Sequence, residues 1–138
     1  MKPPVDPVRV SARGREHLIK LKRQTGIEHW NVLCRWALCC SLREESRPTP
    51  VAHTGEGGVE IAWKIFGGEL ADVLAALVRE RAQQDGLGDG PDDVATCLRA
   101  HLERGLSYLA SERTTETMSD FLNRWLCNQR ADAKSTSI

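Results

Sequence analysis

The chain has 138 residues, 41% of them apolar, with four tryptophans and a formal net charge of zero. That composition suits one domain with one modest core and excludes general disorder. Five cysteines, Cys34, Cys39, Cys40, Cys97 and Cys127, are odd in number and lack C-x-x-C spacing, which fits free thiols in a reducing cytoplasm. No apolar run reaches the length of a membrane span, and Met1 to Pro4 reads as a loose arm with no targeting character.

The charge is unevenly spread. Residues 1–47 hold ten Lys/Arg and five Asp/Glu, a net of +5, and the remainder holds nine against fourteen, a net of −5. Such asymmetry suggests a basic face for a polyanion, or two chain halves that attract each other.

Val8-Arg9-Val10 alternates as a short edge strand would, and Ser11 is placed to cap a first helix. Gly14 weakens the first turn of that helix. Leu18 and Leu21 mark its inner face, with Arg13 and Lys20 on one flank and Arg15 and Lys22 on the other. Thr25-Gly26 stops it, Gly26 being suited to the left-handed position after a helix. A second helix is expected from about His29 to Glu45. Trp30, Leu33, Cys34, Ala37, Leu38 and Ser41 form its inner face, while Val32, Trp36, Cys39 and Cys40 cover much of the rest. A helix apolar all round is buried in a core or between subunits.

Pro48 and Pro50 open a loop through Gly55-Glu56-Gly57-Gly58. Val59, Ile61 and Trp63 alternate as a strand, closed by Gly67-Gly68. A third helix spans about Glu69 to Gln84, with Leu70, Val73, Leu74, Leu77 and Val78 on one face. Asp85 to Asp93 reads as a surface loop. A fourth helix spans about Asp92 to Ser111, with Val94, Cys97, Leu98, His101, Leu102 and Leu109 inside and Asp92 and Asp93 at its positive end. Met118, Phe121, Leu122, Trp125 and Leu126 repeat the same spacing in a fifth. The fold expected is mainly α: a single helical domain over 1–128, with a ribbon-helix-helix-like first helix pair, at most one or two short strands, and a flexible tail over 129–138.

Chemistry is scarce. None of His17, His29, His53 and His101 has metal-ligand spacing with a second histidine or a cysteine pair, and His101, on an apolar face, reads as a core histidine with a hydrogen-bond partner. Cys39-Cys40 invites a redox or sulfur-carrier reading, but unpaired cysteines on an apolar helix are more simply packing. The glycines lack the order and the Lys-Ser/Thr of a phosphate loop, and no nucleophile–histidine–acid signature is present. These patterns imply no enzyme, no cofactor and no metal. What remains is the basic first helix, whose Arg13, Arg15, Lys20, Lys22 and Arg23 could contact DNA phosphates without reading sequence. Strand–helix–turn–helix order is also similar to the ribbon-helix-helix class of DNA-binding modules.

Several stretches resemble the DndE family of the bacterial DNA phosphorothioation (sulfur modification) system. They are Leu21-Lys22 with Thr25-Gly26-Ile27; Asn31, Arg35, Ala37, Ser41-Leu42 and Glu44-Glu45; Gly58 to Trp63; Phe66-Gly67-Gly68-Glu69; and His101, Glu103, Gly105-Leu106, Leu109 and Ser119-Asp120-Phe121. The resemblance implies a helical, ribbon-helix-helix-like subunit that forms homotetramers and binds double-stranded DNA, preferring a nick. It implies other sulfur-modification proteins as partners, which would supply sulfur activation and ATP hydrolysis. The family's positive surface maps onto Lys20 and Lys22; Arg13, Arg15 and Arg23 extend it by charge. The competing expectation is a structural adaptor that scaffolds the modification proteins without binding DNA on its own.

Overall fold

The computed structural model describes residues 2–51 and 57–111. The expected fifth helix (Met118 to Leu126), the tail, His53 and Cys127 lie outside them. Strand β1 (Val8–Val10) pairs antiparallel with β2 (Val59–Ile61), Val8 facing Ile61, Arg9 facing Glu60 and Val10 facing Val59. Val8, Val10 and Ile61 are buried. On the solvent side Arg9 and Glu60 form an ion pair at 3.3 Å. The edge strand read from the alternation is therefore real, and its partner comes from the same chain.

Helix α1 (Ala12–Thr25) begins as expected. Ser11 is extended, and its Oγ accepts from the Gly14 N–H at 3.0 Å. Gly26 ends the helix at φ 75°, its N–H donating to the Lys22 carbonyl; that left-handed backbone is open to glycine without strain. Helix α2 (Trp30–Leu42) buries Leu33, Cys34, Ala37, Leu38 and Ser41. It stops three residues short of the expected Glu45. Arginine side chains from elsewhere take the Ser41, Leu42 and Glu44 carbonyls, so the chain turns away there.

The strand expected to run through Trp63 ends at Ile61. Trp63 instead opens a short helix, α3 (Trp63–Gly67). The Asp6 carboxylate accepts from the Trp63 N–H at 3.1 Å. From α2, Asn31 donates to the Ile65 carbonyl at 3.1 Å and Arg35 to the Phe66 carbonyl at 2.9 Å. Trp63 and Phe66 stack at 5.5 Å and bury together, a period of three that the preceding alternation masked. A 3₁₀ turn (Gly68–Leu70) leads into α4 (Ala71–Gln84), and α5 (Pro91–Ala110) follows.

The third expected helix is present, but its inner face is shifted. Leu74, Ala75, Val78, Arg81 and Ala82 are buried, whereas Leu70, Val73 and Leu77 are 53%, 56% and 45% exposed. The helix is rotated so that Arg81 enters the core, and the apolar residues one strip over face out.

Helix α5 is the axis of the fold: α1, α2, α4 and β1 all pack against it. All six of its expected inner residues are buried. Gly105 sits against α2 so closely that a Cβ there would lie 1.8 Å from the Ala37 carbonyl oxygen. A glycine in mid-helix lowers helix propensity, and here it allows two helices to touch backbone to backbone. Leu18, Leu38, Phe66, Val78, Leu98, Leu102 and Leu106 fill the centre, each contributing about 1.5–3 kcal/mol through burial.

Candidate nucleic-acid interface

Helix α1 carries five Lys/Arg against Glu16, a net of 5 − 1 = +4. Both ends of the helix are tied to α5. At the start, the Glu103 carboxylate accepts from the Ser11 N–H at 2.9 Å and the Ser11 hydroxyl at 2.8 Å. Towards the end, Lys20 Nζ donates to the Ala110 carbonyl at 2.7 Å, a cation placed at the negative end of α5. Leu18 and Leu21 seat the middle in the core. The helix is thereby fixed with its opposite side turned outward.

Arg13 on one flank, Arg15 and Lys22 on the other, and Arg23 between them on that side are all exposed. Among the described residues, none of the four makes a hydrogen bond or ion pair. Arg15 and Lys22 stand two turns apart, about 10.5 Å along the axis. Lys20, grouped with them on sequence grounds, is half-buried and engaged with α5. The field is felt by His17, whose pKa is lowered first by burial and then by Arg13.

A second constellation, absent from the sequence reading, lies inside the molecule. His101 Nδ1 is 2.8 Å from Ser41 Oγ, and its Nε2 is 2.8 Å from Asp85 Oδ2. Arg81 Nε donates to the other Asp85 oxygen at 2.9 Å and its Nη1 to the Leu42 carbonyl at 2.8 Å. Arg104 donates to Ser41 Oγ and to the Ser41 carbonyl, both at 2.8 Å, and to the Ser46 carbonyl at 2.9 Å. A neutral His101 with its proton on Nε2 satisfies every partner: Nε2–H donates to Asp85, and Nδ1 accepts from the Ser41 hydroxyl. Burial holds the His101 pKa below its ordinary value despite Asp85. Burial alone would raise the Asp85 carboxyl, but hydrogen bonds from His101 and Arg81 outweigh it and hold it low.

The order acid–histidine–serine is that of a nucleophilic triad. Ser41 and His101 are fully buried, however, and the Ser41 oxygen already accepts from Arg104. No face of the hydroxyl is open to a substrate. The network instead clamps the end of α2, the 42–46 segment and the α4–α5 connection to one another.

Asp85, expected in a surface loop, is thus a buried anchor. The signal for it was Arg81, a cation at the core-facing i+3 position from Val78, with an acid four residues on. Asp85, His101 and Cys97 also place three potential metal-donor atoms within 4.8 Å of one another. The histidine and the carboxylate are bonded to each other, Arg81 opposes a second cation beside Asp85, and burial and then Asp85 push the Cys97 thiol up to about 11. These residues suit a hydrogen-bond network better than an ion.

Cys39 corrects another expectation. It is exposed, not packed, and lines a groove of about 320 Å³ with Leu42, Arg43, Leu77, Glu80, Arg81 and Gln84. Its pKa is raised, by partial burial, so the thiol stays protonated and weakly nucleophilic. Cys34, fully buried, is pushed up to about 12 by burial.

A family model described as DNA sulphur modification protein DndE matches residues 7–117. The chain belongs to the DndE family. Its match runs from β1 through the end of α5 and so takes in both the basic helix and the buried clamp. Membership gives the chain a role in the DNA sulfur-modification system, in association with the other proteins of that system. A comparison with curated proteins finds no match. Among the described residues, no DndE-family helix of this chain is long and apolar enough to cross a membrane.

Proposed function

We propose that the protein is a non-catalytic, double-stranded DNA-binding subunit of the sulfur-modification machinery, working as a homo-oligomer. The observation that carries the reading is the outward side of α1: four exposed cations, Arg13, Arg15, Lys22 and Arg23, with no partner among the described residues, on a helix clamped at both ends. Each phosphate they neutralise releases counterions and adds affinity without reading bases. The net charge of zero makes this attraction local to α1.

An oligomer would multiply the contacts, and a tetramer, the assembly implied by the family resemblance, would present four such helices. Helix α2 supplies its assembly surface, with Val32 half-buried and Cys39 exposed on its outer side. The β1–α1–α2 order supports a ribbon-helix-helix-like subunit. The ribbon's own cation, Arg9, is paired with Glu60, so α1 and not the ribbon is the contacting element. The sealed Ser41–His101–Asp85 line supports a role without catalysis, in the cytoplasm where DNA is modified.

The neutral overall charge and the diversion of Lys20 to α5 favour a second reading, a structural adaptor that meets DNA only within the complex. Binding of the purified full chain to intact, nicked and single-stranded DNA at two salt concentrations, with its solution mass measured alongside, separates the two. Salt-sensitive duplex binding by a stable oligomer is the expected result, with tighter binding at a nick. A well-folded oligomer that binds no DNA at low salt overturns the first reading in favour of the adaptor.

A further inference from the structure

Helix α1 turns outward a strip that phosphate contacts leave unexplained. Ala12, Glu16, Ile19 and Arg23 recur at i, i+4, i+7 and i+11, which sets them on one line along the helix, and all four are exposed. Ile19 is 39% exposed. It is framed by Arg15 four residues before it, Lys22 three residues after it and Arg23 four after it. Glu16 is the one acid of the helix and makes no hydrogen bond or ion pair among the described residues. An isoleucine and an unpaired carboxylate in the middle of a basic face do nothing to hold phosphates.

The other cations are arranged on both sides of this strip. At about 100° per residue, Arg13 and Lys22 stand about 180° from each other around the axis, and Arg15 lies within about 20° of Lys22. A helix resting on a single phosphate ridge engages one flank. Cations on both flanks suit two ridges with the helix between them. A helix about 10–12 Å across fits the major groove, about 12 Å wide, and not the minor groove, about 6 Å wide.

We infer that α1 lies along the major groove, an assignment that rests on the DNA-binding reading above. Arg13 meets one phosphate ridge, Arg15 and Lys22 meet the other, and the strip from Ala12 to Arg23 faces the base edges. Ile19 packs on thymine 5-methyl groups, the apolar feature of that groove. Glu16 faces the amino donors of cytosine and adenine on the groove floor, away from the phosphates. The ties from Ser11 and Lys20 to α5 hold the helix with this strip outward. Ile19 is then the residue that makes binding depend on base composition, which the flanking cations cannot do.

The test pairs a methyl deletion on the DNA with a side-chain truncation on the full-length protein. Two duplexes of one A·T-rich sequence, one with thymine and one with deoxyuridine throughout, are titrated with the wild type, Ile19→Ala and Ile19→Leu. Ile19 lies outside the buried core and alanine favours a helix, so folding and solution mass should be unchanged. The wild type should bind the thymine duplex about threefold to tenfold more tightly than the deoxyuridine duplex. Ile19→Ala should lose that preference, Ile19→Leu should keep most of it, and the salt slope should be the same in all three. Equal wild-type binding to the two duplexes overturns the groove assignment alone, as does a preference that survives in Ile19→Ala. Absence of wild-type binding to either duplex at low salt overturns the DNA-binding reading itself, and this assignment with it.

Discussion

Ser11 and Glu103 stand 92 residues apart in the chain, yet the Glu103 carboxylate accepts from both the backbone N–H and the hydroxyl of Ser11. The residue that caps the basic helix is itself held from the central helix. Local capping chemistry and long-range packing therefore fix α1 together, and its outward cations inherit that rigidity. Glu103→Ala should lower stability by about 2–3 kcal/mol, because charge-assisted bonds to a partly buried cap are lost. Glu103→Gln, which keeps one acceptor, should lower it by about 1 kcal/mol. Urea unfolding followed by circular dichroism measures both, and equal effects would show that the charge plays no part.

Lys20 and Lys22 are two residues apart and should behave oppositely. Lys20→Met should reduce stability by about 1–2 kcal/mol, since it removes a cation bonded to the last carbonyl of α5, and should leave the salt dependence of DNA binding nearly unchanged. Lys22→Met should leave stability within about 0.5 kcal/mol and weaken duplex binding. Thermal unfolding paired with a binding titration on each variant checks the pair.

The contact between α5 and α2 predicts a sharp intolerance. Gly105→Ala puts a methyl group where the Ala37 carbonyl already stands, so the helices must separate. The expected loss is about 2–3 kcal/mol despite the better helix propensity of alanine. Wild-type stability in that variant, measured by urea unfolding, would contradict the close crossing.

The clamp predicts two steps in stability against pH. His101 has a folded pKa below its ordinary 6.5, so the neutral ring favours the folded state. Its contribution is complete above 6.5 and is lost as pH falls from there through the folded pKa, because the unfolded chain takes the proton first. Asp85 has a folded pKa below its ordinary 3.8, so its contribution holds above that value and is lost as pH falls through the still lower folded one. Unfolding free energies between pH 4 and 7 should fall towards acid in the wild type. The fall should shrink in His101→Gln, with His17→Gln as the control for the other histidine of lowered pKa. An unchanged slope in His101→Gln would contradict the buried neutral ring.

Much of this fold was legible because its signals are local. Ser11, Gly26 and the inner faces of α1, α2 and α5 follow from capping chemistry and a 3.6-residue period, and the structure repeats them almost residue for residue. The misreadings share a cause: partners remote in sequence overrode a local pattern. Trp63 continued a strand alternation, but Asp6, Asn31 and Arg35 supply the bonds that start and finish a helix there. The face of α4 was assigned by its leucines, whereas Arg81 has Asp85 and the carbonyls of Leu42 and Ser46 to satisfy it in the core, and this decides the rotation. Ser41, Asp85 and His101 could not be assembled from spacing, since their meeting depends on three elements packing at once. For the basic helix, sequence supplied the charges, but only the structure separates Lys20, spent on Ala110, from the four that face out.

The central claim is that those four cations bind duplex DNA. The measurement that tests it most directly is the slope of log binding constant against log salt for the full-length protein and for Arg13, Arg15, Lys22 and Arg23 replaced together by glutamine. Each phosphate contact adds about 0.9 to the slope on duplex DNA, so the replacement should flatten it by about 3–4 per subunit engaged and lower affinity at low salt, with folding and solution mass unchanged. An unchanged slope and affinity in the folded quadruple variant would contradict the claim and place any DNA contact elsewhere on the molecule.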